Sequence, residues 1–234
     1  MGFQFKRFYI EDSGASMKVG TDAVLLGSWA GSGSPGMILD VGSGSGLIAL
    51  MMAQRFPTGN ILAIDIQDDS IAQSIINFEA SPWNDRLSAR HISLQDHATQ
   101  CRVKYDLIVS NPPFFRNSLR PADNAKMMAR HTDELSYKDL LEAICKILHP
   151  SGSFNLILPF DNQTIFEEYA LQMPINISRK LEVIPVTGKK PNRVLTEWRF
   201  NKPAAESGTL TIRNKDNSYT EAYKKLTDEF YLAL

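Results

Sequence analysis

The sequence predicts an α/β protein: a doubly wound, mostly parallel seven-stranded sheet with an antiparallel C-terminal hairpin and a short N-terminal extension. Three observations predict it. Short unbroken apolar runs, such as Met37–Val41 and Leu107–Val109, alternate with segments of helical period, the pattern of strands covered on both faces by crossover helices. The first of these runs passes through a glycine-rich turn straight into an apolar helix. Late in the chain, Ile175–Pro185 and Arg193–Phe200 are joined only by Thr187–Pro191, too little chain for a crossover, so they must pair antiparallel.

A chain of 234 residues with 43% hydrophobic content can bury one sizeable core. A single domain is expected over 1–234: a cap region in 1–30, a core in 37–200, and an arm with a terminal helix in 201–234. The formal charge of −1 excludes a protein that holds nucleic acid by global basicity, so any such contact must come from a local patch. Cys101 and Cys145, without C-x-x-C or histidine spacing, exclude a zinc motif and a disulfide scaffold. The first 13 residues lack an apolar signal core, and no apolar run reaches membrane-spanning length. The expectation is a cytoplasmic monomer with no metal and no membrane contact.

Phe3–Ile10 places apolar residues at 3, 5, 8 and 10, a short strand or hairpin lying over the sheet. Thr21 is positioned to cap a short helix burying Val24, Leu25 and Trp29, with Lys18 to Asp22 ahead of it able to close over a pocket. Met37–Val41 is the first buried strand. It enters Gly42-Ser43-Gly44-Ser45-Gly46, a turn that lets a ligand approach the backbone, and then a helix over Leu47–Gln54. The second strand, Asn60–Ile64, ends at Asp65. The next helix, Asp69–Ser81 with Asp68 or Asp69 as cap, offers Ile71, Ile75, Ile76 and Phe78 to the core. A third strand, Leu87–Ile92, leads to Asp96, flanked by His91 and His97, which lack metal spacing. A fourth, Asp106–Ser110, leads to Asn111-Pro112-Pro113-Phe114. Leu135–Leu148, capped by Ser136, is an amphipathic helix burying Leu140, Leu141, Ile144 and Leu148 and stopped by Pro150-Ser151-Gly152. Ser153–Leu158 is the fifth strand, and Asp161 caps a helix to about Gln172. After the hairpin, Lys202–Asn217 reads as an exposed arm, and Tyr219–Leu234 as a helix packing Tyr223, Leu226 and Phe230.

Four strand ends therefore carry chemistry, and strand carboxyl ends are where α/β sheets bind ligands. The G-x-G-x-G spacing of Gly42, Gly44 and Gly46, with the Asp40 carboxylate two positions ahead, departs from the G-x-G-x-x-G that seats a pyrophosphate. It suits a ligand with a cationic amino group, as S-adenosylmethionine has. Asp65 stands where such folds hold ribose hydroxyls, and Asp96 could accept from an adenine amine. The Asn111 side-chain oxygen and the Pro112 carbonyl, which meets no N–H from Pro113, give two acceptors beside the ring of Phe114. One planar exocyclic amine, such as adenine N6, fills that set. Accepting both amine hydrogens would favour a tetrahedral nitrogen and stabilise the positive charge that develops as its lone pair attacks a methyl group. Arg116 and Arg130 in the segment 115–133, and Lys189 and Lys190 in the hairpin connection, are candidates for phosphate contacts.

These motifs, in this order, resemble the class I S-adenosylmethionine-dependent methyltransferases, Rossmann-like enzymes in which N-P-P-[FY] serves the methylation of planar amines. With Met17–Trp29, Arg130-His131 and Tyr219–Tyr223 added, the chain is similar throughout its length to the bacterial tRNA1(Val) adenine N6-methyltransferases. The resemblance implies cofactor contacts from Lys18, the Gly42–Gly46 turn, Asp65 and Asp96, a target base held by Asn111 to Phe114, and tRNA as partner. Guanine N2 of ribosomal RNA or a protein glutamine amide would present the same N–H groups. From other classes, a nicotinamide-dependent oxidoreductase is opposed by the glycine spacing and Asp40, and a non-catalytic cofactor-binding module leaves the tetrapeptide without a role.

Overall fold

The structure is a computed structural model that describes residues 2–12, 19–112, 135–201 and 204–233. The apolar runs become strands and the periodic segments become helices. A hairpin of β1 (Phe3–Gln4) and β2 (Tyr9–Ile10) precedes α1 (Thr21–Trp29). Then β3 (Met37–Val41), α2 (Leu47–Arg55), β4 (Asn60–Asp65), α3 (Asp68–Glu79), β5 (Leu87–His91), α4 (Leu94–Gln100) and β6 (Tyr105–Ser110) alternate strictly. There follow α5 (Tyr137–Ile147), β7 (Leu148–Pro159), α6 (Gln163–Ala170), β8 (Asn176–Val186), β9 (Arg193–Arg199), β10 (Glu206–Arg213) and α7 (Glu221–Thr227).

Side chains along each strand alternate between two cores. In β3 and β6, Ile38, Leu107 and Val109 join a cluster with α1, α2 and Phe78 of α3, while Leu39 and Ile108 join one with α4, α5 and α6. The sheet is thus doubly wound, in the order β10-β8-β9-β7-β6-β3-β4-β5, and β9 alone runs against the other seven strands.

The fold class stands, but among the described residues the sheet has eight strands, not seven. Residues within 202–217 are not an exposed arm: β10 pairs parallel with β8 from Glu206↔Arg179 to Arg213↔Val186. As an edge strand it buries little beyond Leu210, 5% exposed, so it has no apolar run to advertise it. Other boundaries move for local reasons. The N-cap of α1 is Gly20, with Thr21 already helical. Asp161 sits in a 3-10 turn ahead of α6 rather than capping it. β7 begins at Leu148, because Pro150 to Gly152 are absorbed in a register shift against β6, where a proline costs no ladder bond. The terminal helix α7 stops at Thr227, with Thr220 as its cap accepting from Tyr223 N at 3.2 Å. Ser136 caps α5 as the spacing predicts, accepting from Asp139 N at 3.1 Å.

The two ends of the described chain meet. Lys6 N donates to the Phe230 carbonyl at 2.8 Å, and the Phe5 ring lies 4.7 Å from Phe8 and 5.8 Å from Tyr231. No described helix is long and apolar enough to cross a membrane.

Truncating Leu210 to Ala tests the eighth strand. A buried edge position should lose about 2–3 kcal/mol, read as a lower urea midpoint with an unchanged slope. An unmoved midpoint would return 206–213 to an exposed arm.

Candidate functional site

From β3 the chain winds outward through β4 to β5 and then returns to place β6 on the other side of β3. The reversal leaves a crevice between the carboxyl ends of β3 and β6. The two strands are in register at Val41↔Ser110, and Ser110 Oγ donates to the Val41 carbonyl at 3.0 Å. One residue further on, the glycine turn and Asn111 diverge side by side. Both line a cavity of about 550 Å³, closed on other sides by the start of α1, the ends of β8 to β10, and Tyr219, Tyr223 and Tyr231. Lys18 to Asp22 were expected to close over this pocket; of these, the N-cap Gly20 and the first helical residues Thr21 and Asp22 line it. Lys18 lies outside the described residues, as do Pro113, Phe114, Arg116 and Arg130.

The turn needs its glycines. Gly42 and Gly44 have φ of +72° and +56°, and a Cβ on either would meet nothing within 4 Å, so open space for a ligand lies against the backbone. Gly46, at φ +80°, is different: a Cβ there would come within 2.5 Å of the Phe78 ring. The turn is fastened from outside by residues that sequence reasoning missed. Ser74 Oγ donates to the Gly44 carbonyl at 2.9 Å, and Asn77 Nδ2 donates to Ser45 O at 2.8 Å and to Glu11 O at 2.9 Å. This corrects the expected core face of α3. Ile71 and Phe78 are buried, but Ile75 and Ile76 are exposed, Ile76 by 56%, because the inward face must supply donors to loop carbonyls. The signal available was a helix with two small polar residues six and nine positions past its start.

The three acids end in three environments. Asp40 is fully buried under the turn, with Oδ2 accepting from Ala49 N at 3.1 Å and Oδ1 meeting no partner among the described residues. Burial above all, and then the charge of Asp65, push its carboxyl up to about 7. Asp65, at the end of β4, accepts from Gly44 N at 2.9 Å and from Gln67 N at 3.0 Å, so it is fixed beside the turn with lone pairs to spare. Directly after it, Ile66 is 53% exposed, an apolar face no periodicity singled out. None of the three acids, Asp40, Asp65 or Asp96, is among the residues lining the cavity. Asp96 lies exposed in the first turn of α4, exchanging bonds with the N-cap Ser93 at 2.8 and 3.1 Å.

Asn111 is 9% exposed, and its side-chain oxygen has no hydrogen-bond partner among the described residues. Pro112 is buried beside it. Lys189 and Lys190 are exposed in the turn between β8 and β9, outside the cavity wall, although Val186 and Asn192 on either side of that turn belong to it. His97 is spoken for by Tyr105, whose hydroxyl lies 2.9 Å from Nε2, and His91 pairs with Asp68 at 2.8 Å. Arg193 and Arg213 line the same cavity as Asn111; Arg213 was missed because its segment reads as an arm.

Residues 15–153 match the family model of the methyltransferase small domain. The chain is 41% identical over 232 residues to the tRNA1(Val) (adenine(37)-N6)-methyltransferase of Trichodesmium erythraeum, covering 98% of this chain and 97% of that one. It is 41% identical over 233 residues to the protein of the same name from Parabacteroides distasonis, covering 99% and 98%. Among solved structures it resembles Atu636 of Agrobacterium tumefaciens, described as a predicted O-methyltransferase, with a TM-score of 0.71 at 13% identity over 92% of this chain and 99% of that one.

The buried Asp40 makes stability depend on pH. Its folded-state carboxyl holds a proton up to about 7 against an ordinary 3.8, so the folded protein binds more protons than the unfolded chain in that window. Stability therefore falls as pH rises across it, by at most about 1.4 kcal/mol per pH unit, and levels off above. Asp40→Asn keeps an acceptor for Ala49 N but not the charge. Its melting temperature should lie near wild type at the acid end of the window and above wild type beyond the neutral end, and parallel curves would refute the assignment.

Proposed function

The chain belongs to the methyltransferase small domain family, and from that premise we propose that it transfers a methyl group from S-adenosylmethionine to N6 of an adenine in tRNA. The adenine is the one next to the anticodon of tRNA1(Val), the substrate carried in the names of relatives 41% identical over nearly the whole chain. The observation that carries this reading is the carboxamide oxygen of Asn111. It is nearly buried, has no partner among the described residues, and shares one cavity with the glycine turn. A buried acceptor left unpaired costs about 1–3 kcal/mol, which an amine hydrogen recovers.

The residues fit the cofactor. Gly42 and Gly44 leave room against the backbone, Asp65 offers acceptors for ribose hydroxyls, and Ile66 offers an apolar face for a ring. When bound, S-adenosylmethionine supplies a methyl group activated by its sulfonium. The chain itself contributes positioning and charge. The Asn111 oxygen and the Pro112 carbonyl accept the two hydrogens of the adenine amine, turn its lone pair out of the ring plane and stabilise the charge that develops on nitrogen. Both acceptors are held at the end of a buried strand, so they need not reorganise during the reaction. No base is needed before attack, because the amine proton becomes acidic only after alkylation. An adenine in an anticodon loop reaches such a pocket without a helix being opened.

We place the whole chain in one domain that works as a monomer in the cytoplasm. Lys189 and Lys190, with Arg116 and Arg130, meet phosphates around the pocket, while Lys18 and Phe114 close on cofactor and base.

Incubating the protein with labelled S-adenosylmethionine and unmodified tRNA, then identifying the nucleoside by mass, should return N6-methyladenosine; N2-methylguanosine, or label in protein, would move the activity to another planar nitrogen. Asn111→Ala should lower turnover by roughly 10²- to 10³-fold while cofactor affinity stays within a few-fold. Asp65→Ala should do the reverse, weakening cofactor binding by about tenfold or more in calorimetry. An unchanged titration would remove Asp65 from the cofactor set.

A further inference from the structure

Arg213 closes β10 and lines the cavity that holds Asn111 and the glycine turn. Its guanidinium is fixed. The carbon Cζ lies 4.0 Å from the centroid of the Tyr219 ring, Nη2 donates to Tyr219 Oη at 2.7 Å, and Nη1 donates to the Asn217 carbonyl at 2.6 Å. Tyr219 in turn stacks on the buried Tyr223, with centroids 5.1 Å apart and planes at 19°. These partners are neutral. Arg193, on the same wall, has Asp22 at 2.8 Å, and Arg179 and Arg199 share the buried Glu197. Arg213 has no carboxylate among the described residues, although it is half-buried. A half-buried cation fixed in place without a counter-charge is poised for an anion, and its remaining N–H groups match two oxygens of a phosphate.

The surroundings say where that phosphate comes from. Thr187 N donates to the Arg213 carbonyl at 2.9 Å, which binds Arg213 to the exposed turn bearing Lys189 and Lys190. Lys215 projects over the same turn, its Cε 3.9 Å from where a Cβ of Gly188 would stand. The acid of that loop, Asp216, is taken up by Ser218 N at 3.0 Å and Oγ at 2.6 Å. Lys189, Lys190 and Lys215 thus cluster at the turn that is hydrogen-bonded to Arg213, and such a cationic cluster suits a nucleic-acid backbone.

We propose that Arg213, held on Tyr219, grips the backbone phosphate beside the target adenine, with Lys189, Lys190 and Lys215 guiding the strand toward it. The assignment rests on the reading of the cavity as an RNA-methylating site. It makes Arg213 a substrate-binding residue that sets which nucleotide is presented to Asn111.

The test compares wild type with Arg213→Gln and Arg213→Lys in the full chain. Three quantities are measured: S-adenosylmethionine affinity by calorimetry, tRNA affinity across a salt series, and KM and kcat for tRNA. Arg213→Gln should weaken tRNA binding about tenfold and lower the slope of log affinity against log salt by about one, with cofactor affinity unchanged. Arg213→Lys should keep the slope and lose several-fold in affinity. A tRNA carrying one uncharged methylphosphonate linkage beside the target adenine should bind wild type about tenfold less tightly and Arg213→Gln no worse than unmodified tRNA. An unchanged slope in Arg213→Gln overturns the proposal, as does equal sensitivity of both proteins to the modified linkage. Weakened cofactor binding with unchanged tRNA affinity would assign Arg213 to the cofactor's carboxylate instead. If wild type binds tRNA with the expected salt slope but methylates none, the functional reading fails while the phosphate site stands. If Arg213→Gln does not fold, Arg213→Lys decides: it must remain sensitive to the modified linkage, and insensitivity overturns the proposal.

Discussion

The pairing of β3 with β6 is the constraint on which the rest depends. These are parallel neighbours separated in sequence by two strands and three crossover helices, buried on both faces and locked at their exit by Ser110 Oγ on the Val41 carbonyl. A parallel pair has in-register carboxyl ends, so the segments that leave it start from adjacent points. The glycine turn and Asn111 become neighbours for that reason alone. A slip of one residue in β6 would turn Asn111 to the opposite face of the sheet and move Leu107 and Val109 out of the core they share with α2.

Around that point the protein spends packing on polar groups. The inward face of α3 gives up apolar contact to bring Ser74 and Asn77 to the turn's carbonyls, leaving two isoleucines in solvent. Asp40 and Asn111 each keep an oxygen without a partner among the described residues, one beneath the turn and one in the cavity wall. Burial of unpaired acceptors is unfavourable in isolation, and such groups are tolerated where a ligand completes them. At Asn111, which lines the cavity, the free protein is therefore held slightly short of its best stability until a hydrogen-bond donor reaches it.

The cavity also needs the far ends of the chain. β10 and the segment after it supply Arg213, Tyr219 and Tyr223, and the N-terminal hairpin fixes Tyr231 through Phe5 and the Lys6–Phe230 bond. One wall thus comes from the first half of the chain, with backbone and carboxamide groups. The other comes from the last quarter, with aromatic rings and guanidinium groups. The first wall leaves open space against the backbone, and the second presents stacked rings and a guanidinium.

The sequence by itself determined the alternation of strands and helices, the buried runs, the glycine turn, and the placement of Asp40, Asp65 and Asn111 at strand ends. Each of these is written locally, in periodicity or in residue types that only a turn accepts. Tertiary structure alone decided that residues 206–213 form an eighth strand, that α3 turns Ser74 and Asn77 inward, that Asp96 bonds with the N-cap Ser93 of α4, and that Arg213 lines one cavity with Asn111. Those outcomes depend on which distant partner lies against a segment. An edge strand with one buried leucine, or a helix whose inner face meets backbone carbonyls, carries no period from which that partner could be read.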